Sequence, residues 1–221
     1  MDLLDRVLTP GTDLLERVDD LLTGCGAPDD HPIWRAMSRV GVLPLTALAQ
    51  VATLDPDGMR SLSARLAEIA AGVRTVGDPV PRHLESRGLV ADGFTAGWQG
   101  LAAQIATGPD GTSLAERIAA TGAHLDDAAE WAAATRRDLA GEVGACLGSI
   151  DAVLVRTSAD GPDDHAIRAA ADIGARVLES VSRSVGDGWQ RFGRWSGIDT
   201  ETPTAPTAGA DSPHVGHIEL R

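Results

Sequence analysis

LDPDGMRSLSARLAEIAAGVRTV, residues 54–76, is the stretch whose reading decides the fold. Asp55-Pro56-Asp57 reads as a helix start, because acidic side chains accept the free amides of a first turn and proline suits that turn. After it, Met59, Leu62, Leu66, Ile69, Val73 and Val76 recur at alternating spacings of three and four. That pattern is the seam of a helix lying lengthwise along another helix. Gly77, Pro79 and Pro81 end it.

A matching second arm begins at Ser113, where Glu116 stands three residues on in a capping-box pattern. Leu114, Ile118, Thr121, Leu125, Ala128, Ala132, Thr135 and Leu139 follow at the same alternation. Val143, Cys146, Ile150 and Val153 continue it after one slip of register. Read as one helix from Ser113 to Val155, this arm is on the order of 60 Å long. It is much longer than the first, so its surplus apolar stripe needs cover from the N-terminal helices, the last helix or another chain. Between the arms lies FTAGWQGLAAQIA, residues 94–106, and then the break TGPDGT, residues 107–112. Gly97 and Gly100 flank Trp98, a turn that lets two helices meet closely over one large ring. Trp98, Gly97, Gly100, Phe94 and Leu101 are therefore the candidate binding residues.

Working outward, Leu3–Leu8 reads as a short turn stopped by Pro10-Gly11. Thr12/Asp13 then caps a helix with Leu14, Leu15, Val18, Leu21 and Leu22 on one face, ending at Gly24. Ile33–Arg39 reads as one or two helical turns, Val42–Val51 as a short helix starting near Pro44, and Pro81–Val90 as another. After the turn at Asp160, a last helix puts Ile167, Ala171, Gly174, Leu178, Val181 and Val185 on one stripe. From Ser196 the composition turns to Thr, Pro, Ala, Gly and Ser, too poor in apolar residues to offset its ordering entropy, which predicts disorder. The expected architecture is all-α. An antiparallel long-helix hairpin (54–157) forms a bundle with an N-terminal helical extension (1–53) and a C-terminal helix (160–195), followed by a disordered tail (196–221).

Composition supports helices. Aromatic residues make up only 3% of the 221, so the core must be aliphatic and alanine-rich. All 19 basic residues are arginine, and lysine, asparagine and tyrosine do not occur. Chemistry that needs lysine, including a Walker-type phosphate loop, is excluded. A net charge of −13 argues against nucleic acid and anionic membrane surfaces as partners. No apolar run has the length of a membrane span. The N-terminus interleaves acids with leucines and does not read as a signal peptide. The expected location is cytoplasmic, or outside the cell by a route that uses no cleaved leader.

Candidate chemistry is thin. Asp-Asp-His occurs at 29–31 and 163–165, each after a proline. A metal or acid–base site is one reading, and helix capping by Asp is the favoured one. His83 and His124 have no partners at ligand spacing, and His214 and His217 supply half a coordination shell at most. Cys25 and Cys146 read as two small, half-buried residues rather than a disulfide. Serines occur in no nucleophile-elbow context. Neither catalysis nor a cofactor is expected.

The unit from about Leu54 to Val155 resembles the WxG helical-hairpin proteins of actinobacterial type VII (ESX) secretion systems. The residues carrying the likeness are the opening LDPDGMRSLSARLAEIAAGV (54–73), the turn GWQGLAAQIA (97–106) and the alanine-rich arm from Ser113. The resemblance implies a helical binding protein that pairs with a WxG-type partner or with a second copy of itself, Trp98 anchoring the hairpin end. Family members bound for export carry a Tyr-x-x-x-Asp/Glu signal, absent from a chain without tyrosine. The resemblance thus implies a binding role, with the export signal supplied by a partner. The alternative is a cytosolic structural or chaperone-like bundle that is never exported.

Overall fold

A computed structural model describes residues 2–76, 97, 98, 100–107, 113–158 and 163–193. The expectations for Pro81–Val90, Phe94, His83, His214, His217 and the tail 196–221 lie outside the described residues. Within them the chain is all-α, with seven α-helices and no strand. These are α1 (Leu3–Cys25), α2 (Ile33–Val40), α3 (Pro44–Ala52), α4 (Pro56–Val76), α5 (Leu114–Leu147), α6 (Ile150–Thr157) and α7 (Asp164–Phe192). A π-helical turn, Ala103–Thr107, precedes α5. Among the described residues no single helix is long and apolar enough to cross a membrane.

The core is where α1, the C-terminal half of α5 and α7 meet. Leu4, Leu14, Leu15 and Val18 come from α1, Leu139 and Val143 from α5, and Ile173, Val177 and Leu178 from α7. All are fully buried. Ile33 of α2, Leu48 of α3 and Val155 of α6 close the edges. Each such side chain contributes about 1.5–3 kcal/mol by leaving water, before the entropy cost of ordering it. The surplus stripe of the long arm is therefore covered by the chain's own α1, α3 and α7. Residues 3–52 supply a large part of this core.

Three local expectations are corrected. First, Pro10-Gly11 does not stop a helix: α1 runs unbroken from Leu3 to Cys25 with Pro10 inside it. Asp2 and Asp5 close a capping box at its start, Asp5 N–H donating to Asp2 (3.0 Å) and Asp2 N–H to Asp5 (2.9 Å). The buried stripe Leu4, Gly11, Leu15, Val18, Leu22 then passes straight through the proline. Its packing outweighs the roughly 3 kcal/mol that an interior proline costs. Gly11 is required there, since a Cβ would sit 2.7 Å from Val143 Cγ1.

Second, the long arm is two helices. α5 ends at Leu147 and Gly148-Ser149 breaks it. Ser149 Oγ accepts the Ala152 amide at 3.2 Å and donates to the Cys146 carbonyl at 2.7 Å, which starts α6 on a new axis. Ile150 and Val153, expected on the buried stripe, are consequently exposed, and Ala152 and Val155 take the inner face. Third, the Asp-Asp-His turns differ. Asp163 caps α7 through the Ala166 amide at 2.8 Å. Asp29 and Asp30 are exposed and cap nothing at α2, whose N-cap is Pro32. In their place the buried His31 accepts the Ile33 amide on Nδ1 at 3.2 Å.

Candidate functional site

α4 packs along the N-terminal half of α5 and forms the two arms of the hairpin. The arms run antiparallel: Pro56 and Arg60 lie beside Ala133 and Arg137, and Ser63 lies beside Gly122. The contact is made by small residues. Ser63 and Ala70 of α4 are buried against an α5 stripe of Ala115, Gly122 and Ala129, seven residues apart. Ser63 Oγ donates to the Gly122 carbonyl at 2.9 Å. A Cβ built on Gly122 would stand 3.5 Å from the Ser63 carbonyl oxygen, so the two backbones approach closely.

This shifts the seam that the spacing suggested. Met59, Leu66 and Val73 are half-buried at the edge of the contact, while Leu62 and Ile69 face solvent at 47% and 51% exposure. On α5, Leu114 is 47% exposed and Thr121 is exposed, whereas Ile118 and Leu125 are half-buried. Small inner residues draw the helices together, and the large apolar ones are left on the rim.

At the hairpin's far end Trp98 is half-buried, Leu101 is 46% exposed, and Gly97 and Gly100 are exposed. Trp98 Nε1 is buried and has no hydrogen-bond partner among the described residues. No described atom lies within 4 Å of a Cβ built on Gly97 or Gly100. Among the described residues, a glycine that lets two helices close over a large ring is found at Trp131. Its Nε1 donates to the Ser184 carbonyl at 2.7 Å, and Phe192 meets its ring edge-on at 5.6 Å. A Cβ on Gly188 would come within 3.0 Å of the Trp131 indole, so this glycine lets α7 close onto α5 over the ring. The sequence held the elements, Trp131 and Gly188, but 57 positions separate them and no local pattern joins them.

Arg136, which the sequence reading did not single out, is buried and fastens the start of α1 and the α3–α4 link to α5. Nε donates to Asp2 at 2.6 Å, Nη2 to Asp5 at 2.7 Å, and Nη1 to the carbonyls of Ala52 (2.8 Å) and Leu54 (3.2 Å). The guanidinium holds the Asp2 carboxyl below the ordinary carboxylate range. Arg136 is thereby fully engaged, and the cleft of about 320 Å³ that Asp2, Asp5, Asp55 and Asp57 line beside it is a structural junction.

Three further polar groups hold helices in place. Asp19 of α1 caps α3 from outside, accepting the Leu45 amide at 3.3 Å, and burial pushes its pKa up to about 6. His31 Nδ1 accepts from Ile33, so Nε2 carries the proton given to Asp172 of α7 at 3.0 Å. Cys146 is buried, its thiol pushed up to about 11 by that burial, whereas Cys25 is exposed, and the two are not paired. Among the described residues, no group of His, Cys, Asp and Glu is arranged to hold a metal.

Comparison of the chain with protein-family models, with curated proteins and with solved structures returned no match.

Proposed function

We propose that this chain is a type VII (ESX) secretion-associated binding protein that acts through helix–helix pairing. Its α4–α5 hairpin is the docking element, and the partner is a helical protein of the WxG kind. The observation that carries this reading is the exposure of Leu62 and Ile69. A helix buried on its own account would turn Leu62 and Ile69 inward together with Leu66. α4 turns Ser63 and Ala70 inward, keeps Leu66 half-buried, and leaves Leu62 and Ile69 on the rim. The WxG turn and the opening LDPDGMRSLSARLAEIAAGV support the secretion context, and they do so by resemblance alone.

Co-expression with a small WxG protein encoded alongside, followed by size-exclusion chromatography with light scattering, tests the pairing. A stable 1:1 complex is expected. A monomer that ignores every such neighbour contradicts the reading. One observation favours a second reading, a structural bundle never exported: the chain's own α1, α3 and α7 cover the C-terminal stripe of α5. Immunoblots of culture filtrate with and without the secretion ATPase separate the two, since filtrate protein that depends on the ATPase rules out the second.

A further inference from the structure

The rim residues of the hairpin follow a rule that identifies what they bind. Leu62 and Ile69 directly precede the buried Ser63 and Ala70 on α4. Leu114 and Thr121 directly precede the buried Ala115 and Gly122 on α5. One residue is 100° of helix rotation, so both sets stand at the same angle from their contact stripe. In an antiparallel pair, equal offsets in the same rotational sense fall on one side of the pair. The exposed Leu62 and Ile69 of one arm therefore share a face with Leu114 and Thr121 of the other and form a groove between α4 and α5.

The charges along that groove share one sign. Arg65 stands three residues after Leu62, and Arg117 three residues after Leu114. The Leu-x-x-Arg spacing places one arginine on each outer shoulder. Both are exposed and make no ion pair among the described residues. The carboxylates of the same stretch lie elsewhere. Glu68 precedes Ile69 and falls on the far side of α4, whereas Glu116 and Asp126 follow Ala115 and Gly122 by one and four residues and fall on the opposite side of α5. In a chain of net charge −13, the charged side chains next to Leu62 and Leu114 on this face are these two arginines, and the one described carboxylate in line with Leu62 and Ile69 is Asp55 at the very start of α4.

We infer that the groove takes a single amphipathic helix from another protein, with an apolar heptad stripe flanked on both sides by Glu or Asp. The stripe matches because Leu62 and Ile69, like Leu114 and Thr121, are seven residues apart, the repeat of a paired helix. The acidic flanks match Arg65 and Arg117, which set the choice of partner more than the strength of binding. A second copy of this chain is disfavoured, because it would bring the same arginines against these. The inference rests on the docking reading above and adds the partner's charge and the face it occupies.

Two synthetic helices with leucine at the a and d positions test it, one with Glu and the other with Lys at e and g. Each is titrated into the full chain by calorimetry at low and physiological salt. The Glu-flanked helix is expected to bind about tenfold more tightly, the ratio shrinking with salt. The double variant Arg65→Glu/Arg117→Glu is expected to reverse the preference, with an unchanged helical circular dichroism spectrum. Equal binding of both helices, abolished by Ile69→Ser, overturns the charge assignment and leaves the docking reading standing. Binding of neither overturns both. Concentration-dependent dimers that Ile69→Ser disperses would assign the groove to a second copy and overturn the inference.

Discussion

From Thr135 to Cys146, α5 lays Leu139 and Val143 against Leu14, Leu15, Leu178 and their neighbours in α1 and α7, and no large apolar side chain is left outside. From Leu114 to Ala129 the same helix buries only the small Ala115, Gly122 and Ala129 fully against α4, with Ile118 and Leu125 half-buried, and Leu62, Ile69 and Leu114 stay exposed on the rim. One half is a fold-determining interface. The other is a close backbone contact that leaves apolar surface available. The difference shows that an apolar seam in sequence has two structural outcomes, decided by the size of the residues next to it.

The comparison breaks most visibly at the core. Leu178→Ala is expected to cost about 3 kcal/mol, a lost side chain plus a cavity among α1, α5 and α7, read as a lower urea midpoint with unchanged slope. Arg136→Ala is expected to cost a similar amount, about 3 kcal/mol, because the carbonyls of Ala52 and Leu54 lose their donor and the α1 capping box its counter-ion. A loss below about 1 kcal/mol in either variant would show that the α1–α5–α7 interface does not hold the fold together.

Asp19 gives a pH-dependent prediction. Its folded pKa, about 6, lies above the ordinary 3.8. Between those values the folded chain keeps a proton that the unfolded chain has released, so this group makes stability fall as pH rises from about 4 to about 6. Asp19→Asn keeps an acceptor for the Leu45 amide and removes the buried charge. It is expected to be more stable than the parent at pH 7.5, by up to about 3 kcal/mol, with the advantage gone near pH 4. Urea titrations at the two pH values check this, and an equal difference at both would contradict it.

On the hairpin the effects shrink. Gly122→Leu is expected to cost about 2 kcal/mol by forcing α4 away from α5. Gly122→Ala, whose Cβ stands 3.5 Å from the Ser63 carbonyl oxygen, fits without a clash and gains helix propensity. Thiol labelling separates the regions in another way. Cys25 is expected to react in the native protein and Cys146 only after unfolding, since burial keeps it inaccessible and protonated.

The helical class, the two hairpin arms, the capping box at Ser113 and the cap at Asp163 were legible because they depend on local spacing. The continuity of α1 through Pro10 was not, because a proline reads locally as a stop and only the distant Val143 and Leu48 explain the buried Gly11. Arg136 was equally hidden: its partners lie more than 80 residues away and leave no mark on its neighbours. The seam Met59–Val76 was found in period and misplaced in phase, because alternation of three and four does not say which of two adjacent stripes faces the partner. Ser63 and Ala70, one step along, carry that information in their size. Trp98 drew the reading to the hairpin end, whereas the exposed Leu62 and Ile69 lie along the first arm.

The most direct test is a single comparison of the parent with the double variant Leu62→Ser/Ile69→Ser, measuring urea stability and binding of the Glu-flanked helix on the same samples. The account predicts an unfolding free energy within about 0.5 kcal/mol of the parent and at least about tenfold weaker binding. A stability loss of about 2 kcal/mol or more, or undiminished binding, would show that these side chains serve the fold and not a partner.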